Sequence, residues 1–159
     1  MIPPRVFVDT GAWFAVQTVD DTHHRVAAKA LRSLIERGAM LVTTNQVIGE
    51  TYTLLRVVTG YRPASRFLEH LETTKRLERV FVSVELEHRA VILLDRFADH
   101  DFSFVDATSF AVMQARRLRH AFAFDAHFAT AGFIRVPTDM PVEQVLPGRT
   151  PRRPERPHR

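Results

Sequence analysis

The sequence predicts an α/β fold with a mostly parallel central sheet and helices on both faces. Short apolar runs of strand length recur along the chain, and segments with helical spacing of apolar residues lie between them. No repeat with a period of about 20–50 residues is visible, so a solenoid or a propeller is not indicated. Strands that alternate with helices are typical of parallel sheets in α/β domains.

Local patterns justify each element in turn. The predicted strands cover residues 5–8, 40–43, 80–84, 121–124 and, with the weakest pattern, 133–136. The predicted helices cover residues 22–37, 46–58, 62–74, 86–98 and 104–118. Gly38 and Gly60 end the first two helical patterns, and Ser103 is a good N-cap for the last one.

The net charge of the chain comes from its carboxyl end. Of 159 residues, 22 are Lys or Arg and 18 are Asp or Glu, which gives +4. Residues 148–159, GRTPRRPERPHR, contain five arginines and one glutamate, so residues 1–147 hold 17 basic and 17 acidic residues. We therefore expect a folded, neutral domain at 1–147 and a disordered Arg/Pro-rich tail at 148–159.

The composition excludes several classes of protein. The chain has no cysteine, so it has neither a disulfide framework nor a thiolate metal site, and a reducing compartment fits. The amino-terminal MIPPRVFVD lacks the apolar core of a signal peptide, and no window approaches the roughly 20 apolar residues of a membrane helix. We expect a soluble cytoplasmic protein.

Two aspartates directly follow predicted strands. Asp9 follows RVFV, and Asp125 follows AFAF. In open α/β sheets the ligand crevice lies outside the carboxyl ends of the strands, so both side chains are expected at that edge. The alternative is that each aspartate only caps the following helix.

Two further acids are candidates for the same edge. Asp106 comes three residues after Ser103, so S-F-V-D is either part of a site or a capping box with Asp in place of the usual Glu. Glu50 lies three residues after Val47 and four before Leu54, so it shares the apolar stripe of its predicted helix. A carboxylate that faces the interior needs a partner, either a buried arginine or a metal ion.

One divalent cation would explain all four acids. Carboxylates that converge repel one another and raise their pKa values, and a divalent cation relieves this repulsion. Oxygen ligands without cysteine favour Mg²⁺ or Mn²⁺. Such an ion can polarise a phosphoryl oxygen and activate a water for in-line attack on a phosphodiester. The candidate ligands are Asp9, Glu50, Asp106 and Asp125.

Four motifs together resemble those of PIN-domain ribonucleases. FVDTGAW, VIGETYTLL, FSFVDATSFAVM and AFAFDAHFATAGF occur in the order and approximate spacing of that family, and they look most like the VapC toxins of bacterial toxin–antitoxin pairs. The resemblance covers residues 2–137. It implies a three-layer α/β/α fold, Mg²⁺- or Mn²⁺-dependent cleavage of single-stranded or looped RNA, homodimerisation, and inhibition by a small antitoxin protein.

The resemblance also assigns residues. It implies that the four acids form the family's acidic quartet and that Thr10 is the supporting hydroxyl beside the first acid. Gly11 departs from the family, in which serine is commoner at this position, and the Arg/Pro-rich tail is not part of the pattern.

Other residues carry weaker predictions. Arg116, Arg117 and Arg119 are candidates for contacts with RNA phosphates, although a solvated helix end explains them equally well. His127 and the pair His23 and His24 have no partner at zinc-ligand spacing, so surface or capping roles are favoured for them.

Rival functions remain at this point. A phosphatase of the haloacid-dehalogenase type also begins with a strand-end aspartate, but its chemistry needs a second acid two residues later, where Gly11 stands. A PIN-like module that only binds RNA or protein would be favoured by an incomplete acidic set. A housekeeping RNA-processing nuclease would carry the same acids as a toxin.

Overall fold

The structure, a computed structural model, describes residues 4–146, and the predicted tail at 148–159 lies outside the described residues. In chain order the elements are β1 (Arg5–Val8), α1 (Thr10–Gln17), α2 (His24–Glu36), β2 (Met40–Thr44), α3 (Asn45–Val58), α4 (Tyr61–Thr73), β3 (Leu77–Val80), α5 (Val84–Arg96), α6 (Phe104–Ala115), β4 (His120–Phe122), α7 (Ala126–Thr130), β5 (Ile134–Val136) and α8 (Val142–Val145).

A five-stranded sheet forms the centre of the fold. Its strand order is β3-β2-β1-β4-β5, and every neighbouring pair is parallel. Val6, Phe7 and Val8 of β1 are all fully buried, although successive side chains of a strand point to opposite faces. Both faces of the sheet are therefore covered, which confirms the predicted three-layer α/β fold.

The strands that follow β1 in the chain are added first on one side of it and then on the other. The strands β2 and β3 extend the sheet on one side of β1, whereas β4 and β5 extend it on the other side. Where the strand order changes side in this way, a crevice forms outside the carboxyl ends of the two adjacent strands, here β1 and β4. Asp9 directly follows β1, and Asp125 follows β4 after a short extended segment.

A buried chain of hydrogen bonds fixes the start of α1 over this edge. The indole Nε1 of Trp13 donates to Thr43 Oγ1 at 3.2 Å, and the Thr43 hydroxyl donates to the carbonyl of Val8 at 3.2 Å. The backbone N–H of Asp9 donates to the carbonyl of Phe122 at 3.1 Å. Because buried polar groups are costly when unpaired, these bonds hold Asp9 in a fixed place relative to β1, β2 and β4.

Aromatic packing attaches α6 and α7 to the central strand. The rings of Phe110 and Phe128 pack edge to face with centroids 5.0 Å apart, and Phe128 lies 6.2 Å from Phe7 of β1. All three side chains are fully buried. Each such pair adds about 0.5–1.5 kcal/mol to the free energy gained by burial alone. The packing anchors the helix that carries Asp106 and the helix that follows Asp125.

Two strands differ from their predicted bounds by more than one residue. The third strand is Leu77–Val80 rather than 80–84, because the residues after Val80 bond elsewhere. The side chain of Asn45 accepts the backbone N–H of Val82 at 2.9 Å, and Ser83 caps α5. The fourth strand ends at Phe122 rather than at 124, because the chain turns there toward α7.

Three helices were not predicted. The helix α1 buries Thr10, Ala12, Trp13 and Ala15, so it has no clear apolar stripe. The helices α7 and α8 have five and four residues, too few to display a helical period. Among the helices described between residues 4 and 146, none has the length and apolar content needed to cross a membrane.

Candidate metal centre

Asp9 is the most buried of the four predicted acids. The residue is only 5% exposed, and its side chain does not cap α1. Burial raises the pKa of Asp9 from 3.8 to about 7, opposed by the backbone amide of Thr10 and reinforced by the charges of Asp106, Glu50 and Asp125. The charges of these three carboxylates therefore reach Asp9, which indicates that the four predicted acids lie in one region of the protein.

Asp106 combines the two roles that the sequence left open. Its backbone N–H donates to Ser103 Oγ at 3.0 Å, and its Oδ2 accepts the backbone N–H of Ser103 at 3.0 Å, which completes a capping box. The residue is nevertheless 8% exposed and points toward the other acids, because Asp106 Oδ2 also contacts a ring nitrogen of His127. A capping role therefore does not remove Asp106 from the site.

Asp125 likewise has a capping role and a place in the site. Its Oδ1 accepts the backbone N–H of His127 at 2.8 Å, so the aspartate is the N-cap of α7. Asp106, Asp125 and His127 each offer one ligand atom, and these atoms all lie within 4.8 Å of one another. This spacing suits groups that share one cation.

The prediction that Glu50 faces the protein interior is wrong. The buried side of α3 consists of Val47, Ile48, Thr51 and Leu55, and Glu50 lies on the exposed side. Together with Gly49, Thr53, Leu54 and other residues, it lines a cavity of about 660 Å³. The buried-arginine alternative also fails, because no ion pair involves Glu50 within residues 4–146.

His127 belongs to the site, although its sequence neighbourhood favoured a surface or capping role. Its Nδ1 lies 3.0 Å from Asp106 Oδ2 and 3.5 Å from Asp125 Oδ1. Burial lowers the pKa of His127, but the hydrogen bond with Asp106 and the charges of nearby aspartates outweigh this effect and raise the pKa above its usual value. The only sequence signal for this role was its position two residues after the strand-end Asp125.

The chemistry of the cluster fits a hard divalent cation. The donors are carboxylate oxygens with one imidazole at their side, a set suited to Mg²⁺ or Mn²⁺. Thr10, which is 6% exposed, has a buried Oγ1 with no hydrogen-bond partner among the described residues. A buried hydroxyl without a partner is costly, and an ion with its waters at this place would supply one.

The predicted basic cluster lies at the amino ends of the strands, at the other end of the sheet from the carboxylates. Arg5, the first residue of β1, donates through Nη2 to the carbonyl of Arg116 at 2.9 Å. Arg119 directly precedes the first residue of β4, and Arg116 forms an ion pair with Glu78. Arg116, Arg117 and Arg119 are therefore remote from the carboxylates. Their contact with RNA stays a prediction, and it would involve parts of the RNA far from the acids.

Comparison with known proteins gives a match over most of the chain. A profile of the PIN domain matches residues 6–134. The 23S rRNA-specific endonuclease VapC20 of Mycobacterium tuberculosis is 39% identical over 132 residues, which are 82% of this chain and 97% of that protein. A VapC ribonuclease of Archaeoglobus fulgidus is 29% identical over 126 residues, 77% of this chain and 78% of that protein.

A solved structure agrees with these matches. The crystal structure of Mycobacterium tuberculosis VapC20, described as a sarcin–ricin loop cleaving toxin, superimposes with a TM-score of 0.75 at 36% sequence identity. The alignment covers 82% of this chain and 98% of the VapC20 chain. Fold and sequence therefore point to the same group of proteins.

Proposed function

Because this chain belongs to the PIN-domain family and is VapC-like within it, we propose that it is a Mg²⁺- or Mn²⁺-dependent endoribonuclease and the toxin of a toxin–antitoxin pair. The convergence of Asp106, Asp125 and His127, with the buried Asp9 within electrostatic range of both aspartates, carries the proposal. This convergence occurs at the crevice where an open parallel sheet binds its ligand. The relatives named above, an endonuclease and a ribonuclease, support RNA cleavage as the activity.

The proposed ligands have different roles, which follow from whether each side chain is buried or exposed. When bound, Mg²⁺ or Mn²⁺ supplies the Lewis acidity that polarises a phosphoryl oxygen and activates a water for in-line attack. Asp9 would hold the ion in its ionised form, and its burial would keep competing solvent away. Glu50 and Asp125 are exposed, so they stand where the RNA backbone arrives. Asp106 and the Thr10 hydroxyl complete the set.

RNA enters, in this proposal, along the 660 Å³ cavity beside Glu50. The cavity is lined by the polar Asn45, Gln46 and Thr53 and by the apolar Leu54 and Val57. Unpaired bases are recognised through hydrogen bonds to their edges and through packing of their faces, and this lining offers both. Because a relative that aligns over 97% of its length is named for 23S rRNA, we propose ribosomal RNA as the substrate class.

The proposal includes two protein partners. A second copy of the chain would cover an apolar surface next to the cavity, where Val57 is 79% exposed and Phe81 is 72% exposed. The hydrogen bond between Asn45 and Val82 holds Phe81 beside the first turn of α3, whereas Val57 lies in the last turn, so this surface extends along the length of the helix. Exposed apolar patches of this kind mark protein–protein interfaces. Light scattering of the wild type and of Phe81→Glu, expected to be dimer and monomer, tests this part.

The other partner is the small antitoxin that the resemblance implies. A cytoplasmic location follows from the proposed substrate, because ribosomes and the antitoxin are made there. The division of the chain into a nuclease domain at 1–147 and a separate tail at 148–159 is part of the same proposal, and the PIN-domain match at 6–134 lies within the first segment.

Sequencing of RNA ends tests the proposed activity. Purified protein is incubated with ribosomes and Mn²⁺, and the new 5′ ends are mapped, with EDTA and Asp106→Asn as negative controls and Asp20→Asn, an exposed carboxylate, as the matched control. We expect few discrete ends in rRNA, absent in both negative controls. RNA binding without cleavage would identify a non-catalytic PIN-like module instead. Growth arrest on expression separates a toxin from a housekeeping nuclease.

A further inference from the structure

We propose that His127 is a positioning residue of the metal centre, in which its Nδ1–H holds the Asp106 and Asp125 carboxylates in the orientation that binds the ion. The inference rests on the proposed function, because it concerns the same centre. It adds a non-acidic residue to the four predicted acids.

The geometry gives Nδ1 two acceptors. The 3.0 Å separation from Asp106 Oδ2 is a hydrogen-bond distance, and the 3.5 Å separation from Asp125 Oδ1 keeps this second oxygen beside the same nitrogen. These two carboxylates come from different elements, the first turn of α6 and the residue before α7. His127 therefore ties together acids that the backbone alone does not connect.

The same contacts determine which oxygens remain for a cation. Asp106 Oδ2 already accepts the backbone N–H of Ser103 and the imidazole, so Oδ1 is the oxygen left to bind an ion. Asp125 Oδ1 accepts the backbone N–H of His127, which leaves Oδ2. One residue thus supplies a donor to an oxygen of each carboxylate, through its ring and through its backbone.

Aromatic packing fixes the imidazole in this orientation. The ring of His127 packs edge-on against Phe102, with centroids 5.1 Å apart at 64°. Phe102 in turn packs against the fully buried Phe110 at 5.1 Å and 74°. A ring held by its neighbours loses little further rotamer entropy when it donates to a carboxylate, so the hydrogen bond gains strength from the packing.

The contact with Asp106 also argues against His127 as a direct ligand. An Nδ1 without hydrogen would direct its lone pair at an ionised oxygen 3.0 Å away, which is repulsive. With hydrogen on Nδ1, the same contact is a charge-assisted hydrogen bond, and that nitrogen has no lone pair for a metal. The lone pair of Nε2 projects from another side of the ring, away from the two carboxylates that Nδ1 faces. Residues that orient ligands in this way typically contribute about 10–100-fold to metal affinity.

Mn²⁺ affinity of the full-length protein, measured by calorimetry and by electron paramagnetic resonance of free Mn²⁺, tests the inference. Asparagine places its amide nitrogen near the position of Nδ1, whereas glutamine reaches only the position of Nε2. We expect His127→Ala and His127→Gln to weaken binding about 10–100-fold and His127→Asn to stay within about threefold of the wild type. His100→Ala is the matched control, because His100 stacks on the same Phe102 ring but pairs with Asp99.

Spectroscopy distinguishes positioning from ligation. Electron spin-echo modulation of the Mn²⁺-loaded wild type should contain no coupling from a directly bound ¹⁴N. A strong ¹⁴N coupling that disappears in His127→Ala would make the residue a ligand and overturn the proposal. Wild-type affinity in His127→Ala, or equal losses in the Asn and Gln variants, would also overturn it. Where the alanine variant fails to fold in EDTA, the comparison of Asn with Gln decides alone.

The outcome for the proposed function is read separately. If the wild type binds Mn²⁺ and Asp106→Asn does not, the metal centre stands whatever the His127 variants do. If the wild type does not bind Mn²⁺, the proposed metal centre is wrong, and the proposed role of His127 is wrong as well.

Discussion

Asp9→Asn is expected to stabilise the metal-free protein at pH 8, although it removes a residue of the proposed centre. Folding raises the pKa of Asp9 from 3.8 to about 7, chiefly through burial. About 3 pH units at about 1.4 kcal/mol each amount to about 4 kcal/mol by which the ionised Asp9 opposes folding. Asparagine has nearly the same shape and no charge. For a chain of this length the gain corresponds to roughly 8–16 °C in melting temperature.

The sign follows from the protons bound in each state. Below pH 3.8 Asp9 is protonated in both the folded and the unfolded chain, so it contributes no pH dependence. Between 3.8 and about 7 the unfolded chain has lost this proton and the folded chain keeps it, so the free energy of unfolding falls as the pH rises. Above about 7 both states are ionised and the loss is complete. Asp9→Asn lacks this decline.

Urea and thermal unfolding in EDTA at pH 5 and pH 8 measure the effect. The advantage of Asp9→Asn over the wild type should grow from about 2 kcal/mol at pH 5 to about 4 kcal/mol at pH 8. Asp20→Asn makes the same chemical change at an exposed position and should stay within about 0.5 kcal/mol of the wild type at both pH values.

Added Mn²⁺ should remove most of the stability advantage of Asp9→Asn. At a concentration of about 100 Kd the ion stabilises the wild type by about 2.7 kcal/mol, and Asp9→Asn should gain little. A variant that is no more stable than the wild type at pH 8 in EDTA would refute the reasoning. An advantage that does not depend on pH would refute it as well, because the penalty would then not arise from ionisation of Asp9.

Three further predictions concern the ion, one family position and the tail. Mg²⁺ or Mn²⁺ should support RNA cleavage and EDTA should abolish it reversibly, whereas Ca²⁺ should bind with little turnover because its coordination is loose; cleavage assays in each ion check this. Gly11→Ser should tighten Mn²⁺ binding roughly fivefold, because a Cβ at this position fits at 3.9 Å from Asp9 Oδ2 and a hydroxyl there can donate to the carboxylate; calorimetry measures it. Deletion of 148–159 removes a net charge of +4 and should flatten the salt dependence of RNA binding by roughly 0.7 for each lost phosphate contact, with turnover of saturating substrate unchanged; a salt series of binding measurements tests it.

Much of the fold was predictable because a buried parallel strand is a short apolar run with a turn or a cap after it. The runs at Arg5–Val8 and Met40–Thr44 meet this description, and both are strands of the sheet. The run at 80–84 is equally apolar, but it leaves the sheet because Asn45 and Ser83 bond its backbone and cap the next helix. The partner that decides this case is 37 residues away from Val82, so no local pattern contains it.

The acids of the site were predictable from position, but their surroundings were not. Asp9 and Asp125 were placed correctly because parallel strands end at one edge. Glu50 was expected inside, since Val47 and Leu54 appeared to share its stripe, but Leu54 lies on the exposed side with it. A helical wheel gives the width of an apolar stripe only approximately, and here a shift of one position moved the carboxylate to the surface.

Sequence spacing is a poor guide to spatial distance for two basic residues of this chain. Arg119 is close to Asp125 in sequence, but the strand β4 lies between them, so they are up to about 20 Å apart and lie at opposite ends of this strand. His127 was given a surface or capping role because no partner stood at zinc-ligand spacing. Its partner Asp106 is 21 residues earlier in the chain and belongs to α6, which β4 separates from α7. In a parallel sheet the residues that meet are those that follow different strands or begin the helices over the same edge, and Asp9, Asp106 and Asp125 all stand at such places. Candidate residues in such folds are therefore better sought directly after each strand and in the first turn of each helix that begins over the same end of the sheet than at fixed sequence spacings, and this criterion would have included His127.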